Sequence, residues 1–167
     1  IHDQLSAHLP DNESGGIVYC ATRTQTEEIA DCLKPKGFAA EPFHAKLKPE
    51  TKKTVQDDFI SGHLRVIVAT NAFGMGIDKS DVRLVIHADI PGSLENYLQE
   101  AGRAGRDREA ARCVLLYNID DVERQFSMAA YSRLTQREIA LILKALKRLA
   151  RKKKDDSEII ATAGEIL

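Results

Sequence analysis

Cysteine is scarce, long apolar runs are absent, and neither sign of charge is in excess. Cys20, Cys32 and Cys113 are the three cysteines among 167 residues. They are too few and too scattered for a disulfide framework or a zinc knuckle, and a reducing, intracellular setting is the expectation. No apolar segment approaches the roughly 20 residues of a membrane span, and no signal-peptide pattern opens the chain. With 24 Lys and Arg against 25 Asp and Glu, the formal net charge is −1, so any contact with nucleic acid must be local. The chain begins at Ile1 rather than at a methionine and is expected to be a piece of a longer protein.

What is present reads as a globular α/β domain. Apolar residues make up 43% and charged residues 29%, which excludes a disordered chain. Residues 16–21, 38–43, 64–69, 83–88 and 113–117 are short apolar runs, predicted to be strands buried on both faces. Pro42 weakens the second of them. Between the strands lie helical patterns. Thr24 with Glu27 predicts a capping box, opening a helix that runs to about residue 36, with Ile29, Ala30 and Leu33 inside. Pro49 opens a second helix, with Val55, Phe59 and Ile60 on its apolar face and Ser61-Gly62 at its stop. Ser93 is the predicted N-cap of a third, running to residue 103. Strands alternating with helices predict a parallel sheet covered on both faces, with ligand sites at the carboxyl ends of the strands.

The loops at those ends carry the chemistry. Thr22 and Arg23 stand at a helix mouth, where backbone N–H groups favour an anion such as phosphate. The loop from Thr70 and Asn71 through Gly74 and Gly76 to Asp78 suits either a backbone that approaches a ligand closely or a tight structural turn. Gln99, Arg103 and Arg106 lie in QEAGRAGR, where two arginines three positions apart would share one helical face. Such a pair suits a polyphosphate clamp, or equally an exposed helix whose arginines face water. Cys113 reads as a small core hydrophobe, and His63 and His87 lack partners at ligand spacing.

Three stretches, IVYCATRTQTEEIA, VIVATNAFGMGIDK and QEAGRAGRDR, stand in the order and spacing of three helicase motifs. Over residues 16 to about 118 the chain resembles the second RecA-like motor domain of superfamily 2 helicases. FGMGIDK followed by VIHADIP and QEAGRAGRD is closer to the RecQ family of DNA helicases than to the DEAD-box group. The resemblance implies an α/β, RecA-like (P-loop NTPase type) domain over 1–118 and a short helical extension over 119–167. It implies a motor that hydrolyses ATP with Mg2+ and unwinds DNA with 3′–5′ polarity. Arg106 would be the arginine finger, Arg103 would lie beside it on the phosphates, and Gln99 near the attacking water. Gly76 and Asp78 would sit by the nucleotide. Thr22, Arg23, His44, Thr70 and Asn71 would track the phosphate backbone of single-stranded DNA. Implied partners are single-stranded and duplex DNA and an N-terminal RecA-like domain, with no membrane; the isolated fragment is expected to be monomeric. The implied location is a bacterial cytoplasm or nucleoid, or a eukaryotic nucleus.

Departures qualify that picture. No G-x-x-x-x-G-K-[ST] phosphate loop occurs, so ATP would be held mainly by the N-terminal domain and this chain alone is expected to be inactive. Lys46 stands where the family usually has glycine, and reads as a phosphate contact or a solvated side chain. No four-cysteine zinc module follows Cys113, and no metal site is expected. After residue 118, a helix from Thr135 has Leu134, Ile139, Ile142, Leu146 and Leu149 on one side and basic residues on the other. It reads as the opening of a winged-helix module or as a packing helix with a solvated basic face. An alternative for the whole chain is a non-catalytic module that grips nucleic acid or a partner protein through a motor-like fold.

Overall fold

Parallel strands need crossovers, and here each crossover is a helix or a long loop carried over one face of the sheet. The computed structural model describes residues 1–9, 14–74, 77–117 and 144. Contacts divide the chain into two units, Ile1–Val122 and Glu123–Leu167, and every element below belongs to the first. In chain order these are α1 (His2–His8), β1 (Gly15–Tyr19), α2 (Arg23–Leu33) with a 3-10 turn at Lys34–Lys36, β2 (Ala40–Phe43) and α3 (Pro49–Ser61). They continue with β3 (Val66–Ala69), β4 (Val82–His87), α4 (Leu94–Ala101) and β5 (Arg112–Leu115). Expectations for the region after residue 118, and for Gly76, lie outside the described residues.

The five strands form one parallel sheet in the order β2-β3-β1-β4-β5. Their carboxyl ends are level: Tyr19 pairs with Ala69 and His87, Phe43 with Ala69, and His87 with Leu115. The loops that follow therefore emerge along one edge, at about 4.8 Å per strand.

Side-chain alternation splits the core in two. Val18 and Cys20 join Val66, Val68, Leu84, Ile86, Leu5, Ala30 and Leu33 on one face. Ile17 and Tyr19 join Phe43, Val55, Phe59, Ile67, Phe73, Ile77 and Val85 on the other. So α1 and α2 cover the first face, and α3 with the loop after β3 covers the second. Phe73 is the keystone of the second cluster, its ring edge-on to Phe43 at 4.8 Å and to Phe59 at 5.9 Å.

Local chemistry explains the boundaries. Pro49 sits at the first turn of α3, and Gly62 ends the helix at φ +84. Pro42 is tolerated because β2 is an edge strand. Several expectations are corrected. The capping box of α2 is Thr22 with Gln25, not Thr24 with Glu27: Gln25 N–H donates to Thr22 Oγ1, and Thr22 N–H donates to Gln25 Oε1. The helix ends at Leu33, because Pro35 and Gly37 tighten the chain into a 3-10 turn. Ile60 is 43% exposed rather than part of the α3 core face. Edge strand β5 is largely exposed, Cys113 included, so that residue is not a core hydrophobe. The third helix stops at Ala101, two residues short of Arg103, and the chain passes through Gly102 into a run of turns.

Candidate functional site

Adjacent strands β1 and β4 are followed by elements on opposite faces of the sheet, the arrangement that opens a crevice at their carboxyl ends. The lip of this crevice is bridged from within. Asp89, just past β4, accepts from the Ala21 N–H at 2.9 Å through Oδ2 and from Gln25 Nε2 at 3.3 Å through Oδ1. A carboxylate of the protein itself thus lies beside the residues that lead into α2, bound to the Ala21 N–H and the Gln25 side chain rather than to the helix's own N-terminal N–H groups. The Thr22 hydroxyl is engaged too, donating to Gln25 Oε1 at 3.0 Å. Arg23 remains exposed beside them.

Along the same edge, Thr70 leaves β3 half-buried and Asn71 is exposed. Thr70 shapes its own loop: its carbonyl accepts from Phe73 N–H at 3.0 Å and its Oγ1 from Ala72 N–H at 3.4 Å. His44, after β2, does not face solvent. It is 4% exposed, with Nε2 hydrogen-bonded to Glu27 Oε1 at 3.0 Å and Nδ1 without a partner among the described residues. Lys46 is exposed.

The two arginines of QEAGRAGR are not the helical pair the spacing predicts. Both lie in the turns beyond α4, and both reach back to the loop after β3. Arg103 is 7% exposed; its Nη1 donates to the Gly74 carbonyl at 2.6 Å. Gly74, at φ +141, leaves no room for a Cβ, which would overlap the Arg103 guanidinium. What approaches this glycine is the protein's own arginine. Arg106 is different: its side chain keeps 39% exposure while Nη1 donates to the Ile77 carbonyl at 3.1 Å and to Asp78 Oδ1 at 3.4 Å. Gln99 on α4 and Asp78 are exposed nearby in sequence to these arginines and their partners. This turn leaves one guanidinium half-exposed, with its Nη1 held by a backbone carbonyl.

Beneath it lies a buried polar cluster that the sequence did not announce. His87, with no exposure, is hydrogen-bonded through Nε2 to Glu100 Oε2 at 2.9 Å. Its ring stacks on Tyr19 at 5.4 Å and tilts against Tyr97 at 5.0 Å. Burial pushes the Tyr19 hydroxyl up to about 12, with nearby Arg103 pulling the other way, and Tyr19 donates to the Phe73 carbonyl at 3.4 Å. His87 ends an apolar strand run and Glu100 lies thirteen residues on, so only the fold could pair them. No group of three or more His, Cys, Asp or Glu side chains among the described residues could hold a metal ion. No helix among them is long and apolar enough to cross a membrane.

Comparison with known proteins fits this geometry. Residues 3–108 match the family described as the helicase conserved C-terminal domain. The putative ATP-dependent DNA helicase Q1 of Caenorhabditis briggsae is 50% identical over 113 residues, 68% of this chain and 18% of that protein. The ATP-dependent DNA helicase RecQ of Bacillus subtilis is 50% identical over 107 residues, 64% of this chain and 18% of that protein. The chain thus spans about a fifth of the length of these curated relatives. Among solved structures, the Mycobacterium smegmatis helicase Lhr bound to ssDNA and AMP-PNP superposes with a TM-score of 0.57 at 32% identity, covering 68% of this chain and 15% of that one. The five-stranded parallel sheet, the arginine turn over the loop after β3, and a family match over most of the first unit agree, and this chain belongs to the helicase conserved C-terminal domain family.

Proposed function

We propose that this chain is the C-terminal motor half of an ATP-dependent, RecQ-like DNA helicase, working against a second RecA-like domain that carries the nucleotide. The observation that carries this reading is the unequal use of the two arginines. Arg103 is turned inward to hold the loop after β3, which leaves Arg106 as the half-exposed charge able to meet a γ-phosphate on a neighbour. Gln99 would orient the attacking water and Asp78 would accept from the ribose. Arg103 then acts by fixing the turn rather than by touching phosphate. ATP would arrive with its Mg2+ on the domain that has the phosphate loop; the described residues of this chain supply no ligand set for the ion.

A single DNA strand would cross the carboxyl edge over Arg23, Thr70 and Asn71, held by its phosphates without base readout. The burial of His44 and the capping duty of Thr22 support assigning them to the scaffold under that track. That the similar helicase Lhr is bound to ssDNA supports single-stranded DNA as the ligand, and the 3′–5′ polarity rests on the RecQ resemblance.

The test is ATP turnover by the chain alone and by the chain joined to the phosphate-loop domain of its longer protein. The chain alone should be silent, and the joined protein should hydrolyse ATP faster when single-stranded DNA is added. A joined protein that binds DNA yet never hydrolyses ATP would instead identify a binding module.

A further inference from the structure

Two neighbouring carbonyls of the loop after β3 are held by two buried donors. Tyr19 O–H donates to Phe73 and Arg103 Nη1 to Gly74. The donors are themselves tied together through His87. It stacks on Tyr19, and its Nε2 donates to Glu100, whose backbone carbonyl accepts from the Arg103 N–H at 3.3 Å. Tyr19, His87, Glu100 and Arg103 are all buried, so none of the four is presented to a ligand. Loop and arginine turn therefore meet through a continuous polar cluster, and Phe73 passes the contact on to Thr70 through its N–H.

The cluster is costly for a purely structural element. Buried charges lose hydration that apolar side chains of similar volume would not need, and such groups do best as arrangement-specifying devices. His87 Nδ1 and Arg103 Nε are buried with no partner among the described residues, further cost that a core chosen for stability alone would shed.

We propose that Tyr19, His87 and Glu100 are positioning residues that lock the arginine turn to the loop after β3. Nucleotide at Arg106 and DNA at Thr70 and Asn71 then bias one shared arrangement. The proposal rests on the motor reading above and adds the element through which its two sites are coupled.

The test uses Glu100→Ala, Glu100→Gln and Tyr19→Phe in the longer, ATP-hydrolysing protein, reading turnover with and without single-stranded DNA. Glu100→Ala should keep DNA-free turnover within about twofold and lose DNA stimulation about tenfold, the scale of an ordinary coupling. Glu100→Gln, whose amide oxygen can still accept from His87, should restore most of it. Tyr19→Phe removes one hydroxyl while keeping the ring in the core, so it should lower stimulation with the fold retained, which decides the matter if Glu100→Ala does not fold. In parallel, amide hydrogen exchange across residues 70–74 of the 167-residue chain should quicken in Glu100→Ala and not in Glu100→Gln. Unchanged stimulation, or equal loss of stimulated and DNA-free turnover, overturns the proposal. Failure of the motor reading looks different: the unsubstituted longer protein would then show no ATP turnover with or without DNA, while the exchange pattern of the 167-residue chain still followed Glu100.

Discussion

Arg103 donates to the carbonyl of Gly74 at 2.6 Å, and its guanidinium fills the space that a Cβ on residue 74 would need. Two motifs twenty-nine residues apart are thereby one structure. Gly74→Ala should cost about 1–3 kcal/mol from the positive φ alone, with the overlap on Arg103 added to it. Urea unfolding measures this, and unchanged stability would contradict the close packing of loop and turn.

The same contact separates the two arginines energetically. Arg103→Ala removes a buried, charge-assisted hydrogen bond and should destabilise by about 1.5–3 kcal/mol. Arg106 is half-exposed and its ion-pair partner Asp78 is 92% exposed, so Arg106→Ala should cost about 0–1 kcal/mol. Thermal or urea unfolding of both variants checks the contrast; equal losses would remove it.

Thr22 and Thr24 offer a sharper local test. Thr22→Ala breaks the capping box of α2 and should cost about 1 kcal/mol, whereas exposed Thr24→Ala should be neutral. A reversal in unfolding midpoints would return the cap to Thr24.

That pair also shows what the sequence could and could not convey. TRTQTEE contains two overlapping capping patterns, and the choice falls to Thr22 because Gln25 is also held by Asp89, a residue sixty-four positions away. The strands were legible as apolar runs, since a parallel sheet buried on both faces demands them, and only their ends moved by one or two residues. The arginine spacing misled: i, i+3 means one face only while the helix lasts, and the helix ends at Ala101, before either arginine. His87 and His44 gave no local signal, because Glu100 and Glu27 reach them only through packing.

Alkaline pH should weaken the fold in a defined window. Burial raises the Cys20 thiol to about 12 and the Tyr19 hydroxyl to about 12. Both groups ionise earlier in the unfolded chain, so their contribution is intact below about pH 9 and is lost as pH rises from there towards 12. Denaturation midpoints against pH measure the decline, and a flat profile to pH 11 would contradict it. A thiol reagent at pH 8 should label exposed Cys32 in the native chain and reach Cys20 only on unfolding.

The most direct measurement of the motor assignment is DNA-stimulated ATP turnover by the longer protein carrying Arg106→Ala. An arginine finger is worth roughly a thousandfold or more, so turnover should fall by that order while the fold and single-strand binding persist. Turnover within a few-fold of the unsubstituted protein would contradict the account.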